Sequence, residues 1–163
     1  MADEATIQAE LESRFPFLQG KVRVARARRL FAEVPYDRFP EVFDHVIRRM
    51  GFTMLCTITG LDLGTSLGAI YHMAQEKGCM LNLQTSVPKD RPVLRSVSAV
   101  FPAAEMYERE LVDLLGFQVE QLPEGSRYPL PDNWPAGQHP LRKDWKPQGA
   151  APGAPAEKES PNG

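Results

Sequence analysis

The chain has 163 residues, of which 42% are hydrophobic and 25% charged, and its 19 Lys and Arg against 21 Asp and Glu give a formal net charge of -2. This length and composition suit one globular domain, and the lack of a basic excess argues against a general nucleic-acid-binding protein. No apolar run approaches the roughly 20 residues of a membrane-spanning helix, and the acidic start, Met-Ala-Asp-Glu, lacks a signal-peptide pattern. We therefore expect a cytoplasmic chain that reaches the inner face of a membrane only through partner subunits.

The first fifty residues alternate between helix and strand patterns. Apolar residues spaced by four predict a helix over residues 3–14. Alternation of apolar and polar residues then predicts two short strands within 21–34. An apolar face with a 3.6-residue period predicts a second helix from Asp37 to Met50, with Asp37 as its N-cap and Gly51 as the left-handed residue that closes it.

The middle of the chain predicts a sheet and a third helix. Three strand-like runs are separated by short turns, which implies an antiparallel meander: Thr53 to Leu61, Leu67 to Met73 and Cys79 to Val87. A helix is predicted from Pro102 to Leu115, ended by Gly116, with an apolar face opposite a face of Glu105, Glu108, Arg109 and Asp113. From the residues alone this charged face is expected to be solvated, with the i,i+4 pairs Glu105–Arg109 and Arg109–Asp113. The predicted fold is α+β, an antiparallel sheet with helices packed on one face, followed by an extended C-terminal arm.

This pattern divides the chain into three parts. Residues 1–117 form the predicted α+β domain, and residues 118–145 form the arm. Residues 146–163 contain four prolines, three glycines and no large apolar residue. Such a segment cannot bury enough surface to offset its ordering entropy, so we expect a disordered tail there.

The last third of the chain resembles the 30-kDa subunit family of complex I, the NADH–quinone oxidoreductase of respiratory chains. The resemblance rests on five groups of residues: Phe101 to Ala104, Glu108 to Glu110, Asp113 to Gly116, then Leu130, Pro131, Asp132 and Trp134, and finally Pro140 to Asp144. The loop PEGSRYPLPDNWPAGQHPLRKDW departs from the usual complex I pattern. This loop and the short stand-alone form are more similar to the equivalent subunit of energy-converting, membrane-bound nickel–iron hydrogenases.

The resemblance implies a cofactor-free structural subunit in the hydrophilic arm of a membrane-bound, ion-translocating nickel–iron hydrogenase. The 30-kDa subunit of NADH–quinone oxidoreductase (complex I) is the alternative. In either assembly the chain would dock onto the large catalytic or quinone-site subunit, near a small iron–sulfur subunit and, indirectly, membrane subunits, with no nucleic acid. The nickel–iron and iron–sulfur centres would belong to the partner subunits.

The candidate partner-binding surface combines the charged helix face with the proline-stiffened arm. Prolines hold a segment extended without secondary structure, and Trp and Tyr often anchor interfaces. We expect residues 127–145 to lie along the large subunit. The candidate residues are Glu108, Arg109, Glu110, Asp113, Tyr128, Trp134, Leu141, Arg142, Lys143 and Asp144.

Other chemistry has weaker support. A small acid–base enzyme could use Glu105, Glu108 and Asp113, but Arg109 would keep these carboxylates ionised and an exposed helix face lacks a pocket. His45, His72 and His139 have no ligand-like spacing, and Cys56 and Cys79 are expected to be buried thiols rather than a disulfide, so no catalytic, cofactor or metal residue is assigned. A peptide-binding sheet edge has no specific support. The basic run of Lys21, Arg23, Arg26, Arg28 and Arg29 is expected to be an exposed strand face, with a contact to an acidic partner surface or anionic lipid left open.

Overall fold

The computed structural model describes residues 4–76 and 78–147. Its helices and strands follow the predicted order, with β6 and β7 in addition: α1 (Glu4–Arg14), β1 (Val22–Arg26), β2 (Arg29–Glu33), α2 (Phe39–Arg48), β3 (Met54–Asp62), β4 (Ser66–Ala74), β5 (Met80–Pro88), β6 (Val93–Arg95), α3 (Ala104–Leu115) and β7 (Gln118–Glu120). The expected tail lies outside the described residues, apart from residues 146 and 147.

A five-stranded sheet with the order β1-β2-β5-β4-β3 forms the centre of the domain. The predicted meander is confirmed, since the consecutive strands β3, β4 and β5 pair antiparallel, each with the next. The sheet is not wholly antiparallel, because β2 pairs parallel with β5. The connection through α2 carries the chain across the sheet between β2 and the meander, so β5 meets β2 with both strands running in the same direction.

The helices cover one face of this sheet, as predicted. Strand residues alternate between the two faces, and on the covered face β4 and β5 contribute the buried residues Leu67, Ala69, Tyr71, Met73, Leu81, Leu83 and Val87. Helix α2 adds Phe39 and Phe43, whose rings contact Tyr71 at centroid distances of 4.7 and 5.8 Å. Burial of these side chains is the main stabilising contribution to the domain.

Two local features differ from the predictions. Asp37 is not the N-cap of α2. It lies in a short 3-10 turn (Tyr36–Arg38), and the cap position is Arg38, which makes no side-chain cap hydrogen bond. The small parallel pair of β6 and β7 was not predicted, because three-residue strands are too short to show an alternation in sequence. Gly51 does adopt the predicted left-handed conformation, with φ of 73°, and Gly116, predicted to end α3, is also left-handed, with φ of 74°.

Helix α3 lies against β3 at Gly60. A Cβ atom on Gly60 would lie 2.3 Å from Leu115 Cδ1 and 2.6 Å from Leu111 Cδ2, and both leucines are buried. The missing side chain therefore sets the distance between the helix and the sheet. It also fixes where the C-terminal end of α3 meets the rest of the chain.

We predict that Gly60→Ala lowers the free energy of unfolding by about 1–3 kcal/mol, because a packed core must move to accept the methyl group. Urea unfolding followed by circular dichroism measures this change. An unchanged midpoint would show that α3 is not packed closely on β3.

Candidate functional site: the C-terminal arm on helix α3

The C-terminal end of α3 is closed by the arm that follows it. The last carbonyl groups of a helix have no partner within the helix. Here residues of the arm supply hydrogen-bonding partners for three of these carbonyl groups. His139 Nδ1 lies 2.9 Å from Asp113 O, the Leu141 amide donates to Leu114 O at 3.0 Å, and Arg142 Nε donates to Leu115 O at 2.6 Å. The positive charge of Arg142 also suits the negative end of the helix dipole.

Gly116 makes this arrangement sterically feasible. Its φ of 74° is in the left-handed region that favours glycine. A Cβ atom there would lie 2.6 Å from the His139 ring and 2.8 Å from Arg142 Nη2. The glycine that ends the helix is thus also the surface on which the arm packs.

Asp113 holds the beginning of the arm. Its carboxylate accepts a hydrogen bond from Arg127 Nε at 2.8 Å and one from the Leu130 amide at 3.2 Å. The Asp113 side chain is 8% exposed and that of Arg127 is 25% exposed, so the pair is largely removed from water. Arg127 also donates to Trp134 O at 2.9 Å, which links two parts of the arm.

A second anchor holds the end of the arm on the sheet. Asp62, at the end of β3, accepts hydrogen bonds from Lys89 Nζ and from the Lys143 amide, both at 2.8 Å. Lys89 also contacts Asp144 at 3.1 Å. The hydrogen bond from Lys89 is the main reason that the pKa of Asp62 lies well below its usual range, with a further contribution from the Lys143 amide.

The arm has an inward polar side and an outward side that carries apolar groups. Trp134 and Trp145 stack at a centroid distance of 6.1 Å and are half-buried, and both indole N–H groups donate to Gln138. Tyr128 and Leu141, in contrast, are 42% and 56% exposed. Both side chains are therefore accessible to another protein, and tyrosine is one of the residue types enriched in protein interfaces.

Glu108 was predicted on a solvated face, and that prediction is wrong because Glu108 is only 1% exposed. Its carboxylate accepts hydrogen bonds from the Ser96 hydroxyl at 2.6 Å and the Val97 amide at 2.7 Å. Burial raises the pKa of Glu108, while these two hydrogen bonds oppose that shift. The residue fixes the loop between β6 and α3 from inside the domain.

Asp113 is also buried rather than on a solvated face, and its predicted pairing with Arg109 is replaced by Arg127. Arg109 does pair with Glu105 at 2.7 Å, as predicted, and also donates to Pro123 O at 2.6 Å. Glu108 was misassigned because of its charge: it lies four residues after Ala104 and three before Leu111, so the helical period itself places it on the buried face. Asp113 does lie on the face of Glu105 and Arg109, and the arm covers it there. Whether any of the ten candidate residues contacts a partner stays a prediction.

Several residues of this site were not singled out from sequence. Asp62, Lys89, Arg127 and His139 act only through contacts between distant parts of the chain. The one local signal was Gly116, which marks the end of α3. The last carbonyl groups of a helix need hydrogen-bond donors from outside the helix, and a later segment can supply them.

The remaining histidines and cysteines have structural surroundings. His45 contacts Glu10 at 3.0 Å, and His72 lies between Thr59 and Asn82 at 2.9 and 2.5 Å. Cys79 is buried as expected, but Cys56 is exposed, since it lies at the irregularity in the pairing of β3 with β4.

Within residues 4–76 and 78–147, no group of three or more His, Cys, Asp or Glu side chains could hold a metal ion. None of the helices in that part of the chain has the length and apolarity of a membrane span.

Comparison with known proteins identifies the family. The family model for the 30-kDa subunit of respiratory-chain NADH dehydrogenase matches residues 32–151, which include α2, the meander, α3 and the whole arm. The chain belongs to this family. The match begins within β2 and leaves out only α1, β1 and the first part of β2 among the helices and strands.

The proteins to which the chain is similar are subunits of larger complexes. The chain is 33% identical to a subunit of the F(420)H(2) dehydrogenase of Methanosarcina mazei over 147 residues, which are 88% of this chain and 92% of that one. It is 37% identical to the membrane-bound hydrogenase subunit beta of Pyrococcus furiosus over 89 residues, 52% of this chain and about half (51%) of that relative. A chain of the membrane-bound sulfane sulfur reductase, an archaeal respiratory membrane complex, superposes with a TM-score of 0.75 at 26% identity, covering 87% of this chain and 85% of that one.

We predict that Asp113→Ala detaches the first part of the arm, because the mutation removes the acceptor for both Arg127 and the Leu130 amide. The loss of these largely buried hydrogen bonds should lower the free energy of unfolding by about 1–3 kcal/mol. Limited proteolysis should cut residues 122–138 faster than in the parent protein. Glu110→Ala on the same helix is the matched control, and equal cleavage of both variants would contradict the anchor.

The depressed pKa of Asp62 predicts a specific pH dependence. A carboxyl group whose folded pKa is lowered stabilises the fold above its unfolded pKa of about 3.9, and this contribution is lost as the pH falls through the folded value. Asp62→Asn should therefore be less stable than the parent at pH 7, and the difference should shrink below about pH 4. Urea unfolding at pH 7, 5 and 3 measures it, and a difference that is constant with pH would contradict the role of the charge.

Proposed function

We propose that this chain is a cofactor-free structural subunit in the hydrophilic arm of a membrane-bound, ion-translocating nickel–iron hydrogenase related to complex I. In that assembly it docks onto the large catalytic subunit. The proposal rests on the structure of the arm. Its backbone amides donate hydrogen bonds to its own domain, while the side chains of Tyr128 and Leu141 are exposed. Family membership and the multi-subunit relatives support it.

The anchoring of the arm suits this role energetically. Ordering a free segment at the moment of binding costs conformational entropy and weakens the complex. Here hydrogen bonds to Asp113, Leu114 and Asp62 already hold the arm in place. A partner that covers it would gain the apolar contacts of Tyr128 and Leu141 without that cost.

Within this proposal, we infer that only some of the ten candidate residues contact the partner. The polar groups of Glu108, Asp113 and Arg142 are engaged inside the chain rather than free to touch the partner. Glu108 holds the loop before α3, and Asp113 and Arg142 hold the arm. Of the ten candidates, the exposed ones are Tyr128, Leu141, Lys143 and Asp144, all on the arm, whereas Glu110 on α3 is half-buried.

The proposal implies where the other components lie. The large subunit would carry the nickel–iron centre, a small iron–sulfur subunit would pass electrons, and membrane subunits would translocate ions. This chain would then sit peripherally on the inner face of the membrane through those partners.

A second assembly is favoured by a different observation. The similarity to the F(420)H(2) dehydrogenase subunit extends over 88% of the chain, whereas that to the hydrogenase subunit extends over 52%. This coverage favours a dehydrogenase that uses the same docking subunit, and the 30-kDa subunit of an NADH–quinone oxidoreductase belongs to the same alternative. Nickel in the purified complex would support the hydrogenase, and a bound flavin without nickel would support the dehydrogenase.

The distant alternative of a small acid–base enzyme finds no support in the geometry. Glu105 pairs with Arg109, Glu108 with Ser96 and Val97, and Asp113 with Arg127. A cavity of about 490 Å³ does lie beside α2, but none of the three carboxylates lines it. Turnover by the isolated chain would be needed to revive this alternative.

We predict that Leu141→Asp combined with Tyr128→Ala lowers the amount of large subunit that co-purifies with the chain by about tenfold or more, since outward apolar anchors dominate interface energies. Both side chains are exposed, so the thermal unfolding midpoint should stay close to that of the parent. Quantitative mass spectrometry of the purified complex measures the effect.

Met54→Asp is the matched control. Met54 is 51% exposed and begins β3, whereas the arm binds Asp62 at the far end of the same strand. This control should retain the large subunit. Equal retention in all variants would contradict docking through the arm.

A further inference from the structure

A groove separate from the arm lies between α2 and the loop that precedes α3. Its floor consists of Phe39, Phe43 and Ile47, which are spaced by four along α2, and its opposite wall contains Val97 and Val100. The groove has a volume of about 490 Å³, and Val100 is 54% exposed. This size is in the range of roughly 300–1,000 Å³ found for binding pockets in proteins.

The wall of the groove is held in place from inside the domain. Glu108 fixes Ser96 and Val97, as described above, and the Ser96 amide donates to Glu120 O at 2.8 Å. The amides of Val100 and Phe101 both donate to Val97 O, at 3.0 and 2.9 Å. The groove is therefore already formed in the chain, and the buried carboxylate of Glu108 is the reason that its wall is ordered.

The charges around the groove are not balanced. Arg48 lies at the rim and pairs with Asp44. Arg95 also lines the groove, and its guanidinium donates a hydrogen bond to the neutral Gln121 Oε1 at 3.0 Å. Glu120 is the register partner of Arg95 on β7. Even so, Arg95 forms no ion pair with any residue of the described ranges. A ligand that covers Arg95 must supply an anion, because an unpaired charge is costly to bury.

The shape of the floor favours a helix over a small molecule. Three apolar residues from Phe39 to Ile47 follow the axis of α2 for about 12 Å, at 1.5 Å per residue. Two turns of a partner helix have a similar length and present apolar side chains at the same spacing. Opposite charge near such an apolar contact fixes the register of the two helices.

We propose that this groove binds an amphipathic helix of another subunit of the same complex, with apolar residues at positions i and i+3 or i+4 and an Asp or Glu that pairs with Arg95. The inference rests on the proposed function, since it requires that the chain is part of a multi-subunit complex. It adds a second contact that is independent of the arm. The chain would therefore join two parts of the assembly.

The test uses a photo-crosslinking amino acid at position 100 in the assembled complex, with the crosslinked peptide sequenced by mass spectrometry. The expected product joins position 100 to a helical segment of another subunit that carries an acidic residue. A crosslink only to this chain, to a second copy of it or to a small apolar molecule would overturn the proposal. Absence of any crosslink would do the same.

Matched variants give the second readout. Val100→Asp and Arg95→Glu should each weaken retention of the crosslinked subunit by about tenfold, and an acidic-to-Arg change in the identified helix should restore binding to Arg95→Glu. Val24→Asp is the control, since Val24 is 44% exposed and lies on β1, away from the groove. Unchanged retention in the groove variants, all with parent-like thermal unfolding, would contradict the proposal.

These results separate the two proposals. If the arm variants lose the large subunit while the groove variants behave like the parent, the docking function stands and the groove proposal fails. If the parent chain itself purifies with no other subunit, both fail.

Discussion

The end of helix α3 is the constraint on which the rest of this structure depends. A helix that ends inside a domain leaves carbonyl groups that need donors. In this chain the donors come from residues 139–142, more than twenty positions later. The arm is therefore a structural part of the helix it follows, and the conformation of Gly116 is what allows the two to meet.

This constraint explains how an extended segment can be ordered without a helix or a strand of its own. The polar groups of the arm are used on its inward side, by Asp113, Asp62 and the last turn of α3. The apolar side chains of Tyr128 and Leu141, on its outward side, are left exposed. A scaffold that orders a segment in this way reduces the entropic cost of covering it, and that is the physical basis of the proposed docking.

Much of the fold followed from sequence periodicity. The strands of the meander and the second helix were predicted within a few residues, because their apolar residues repeat with clear periods of 2 and 3.6. The parallel pairing of β2 with β5 was not predicted, since nothing local distinguishes a parallel from an antiparallel neighbour. The short strands β6 and β7 were missed because three residues carry too little of a period to be recognised.

The site was predicted only in part. The residues of the arm were selected as functional, but which side of each would face the domain could not be read from the chain. On helix α3 the error was of another kind: the charge of Glu108 was taken as a sign of solvent exposure, although it is spaced with the buried Ala104 and Leu111, and the loop at Ser96 and Val97 covers it. Asp62 and Lys89 gave no local signal, because their partners Lys143 and Asp144 are more than fifty residues away.

Hydrogen–deuterium exchange of the arm, measured in the isolated chain and in the assembled complex, tests the central claim most directly. The amides of Leu130, Leu141 and Lys143 are bonded to the domain. They should exchange slowly in the isolated chain, and the peptides around Tyr128 and Leu141 should gain further protection in the complex. Exchange of these amides at unfolded rates in the isolated chain, or no added protection in the complex, would contradict an arm that is ordered by its own domain and covered by a partner.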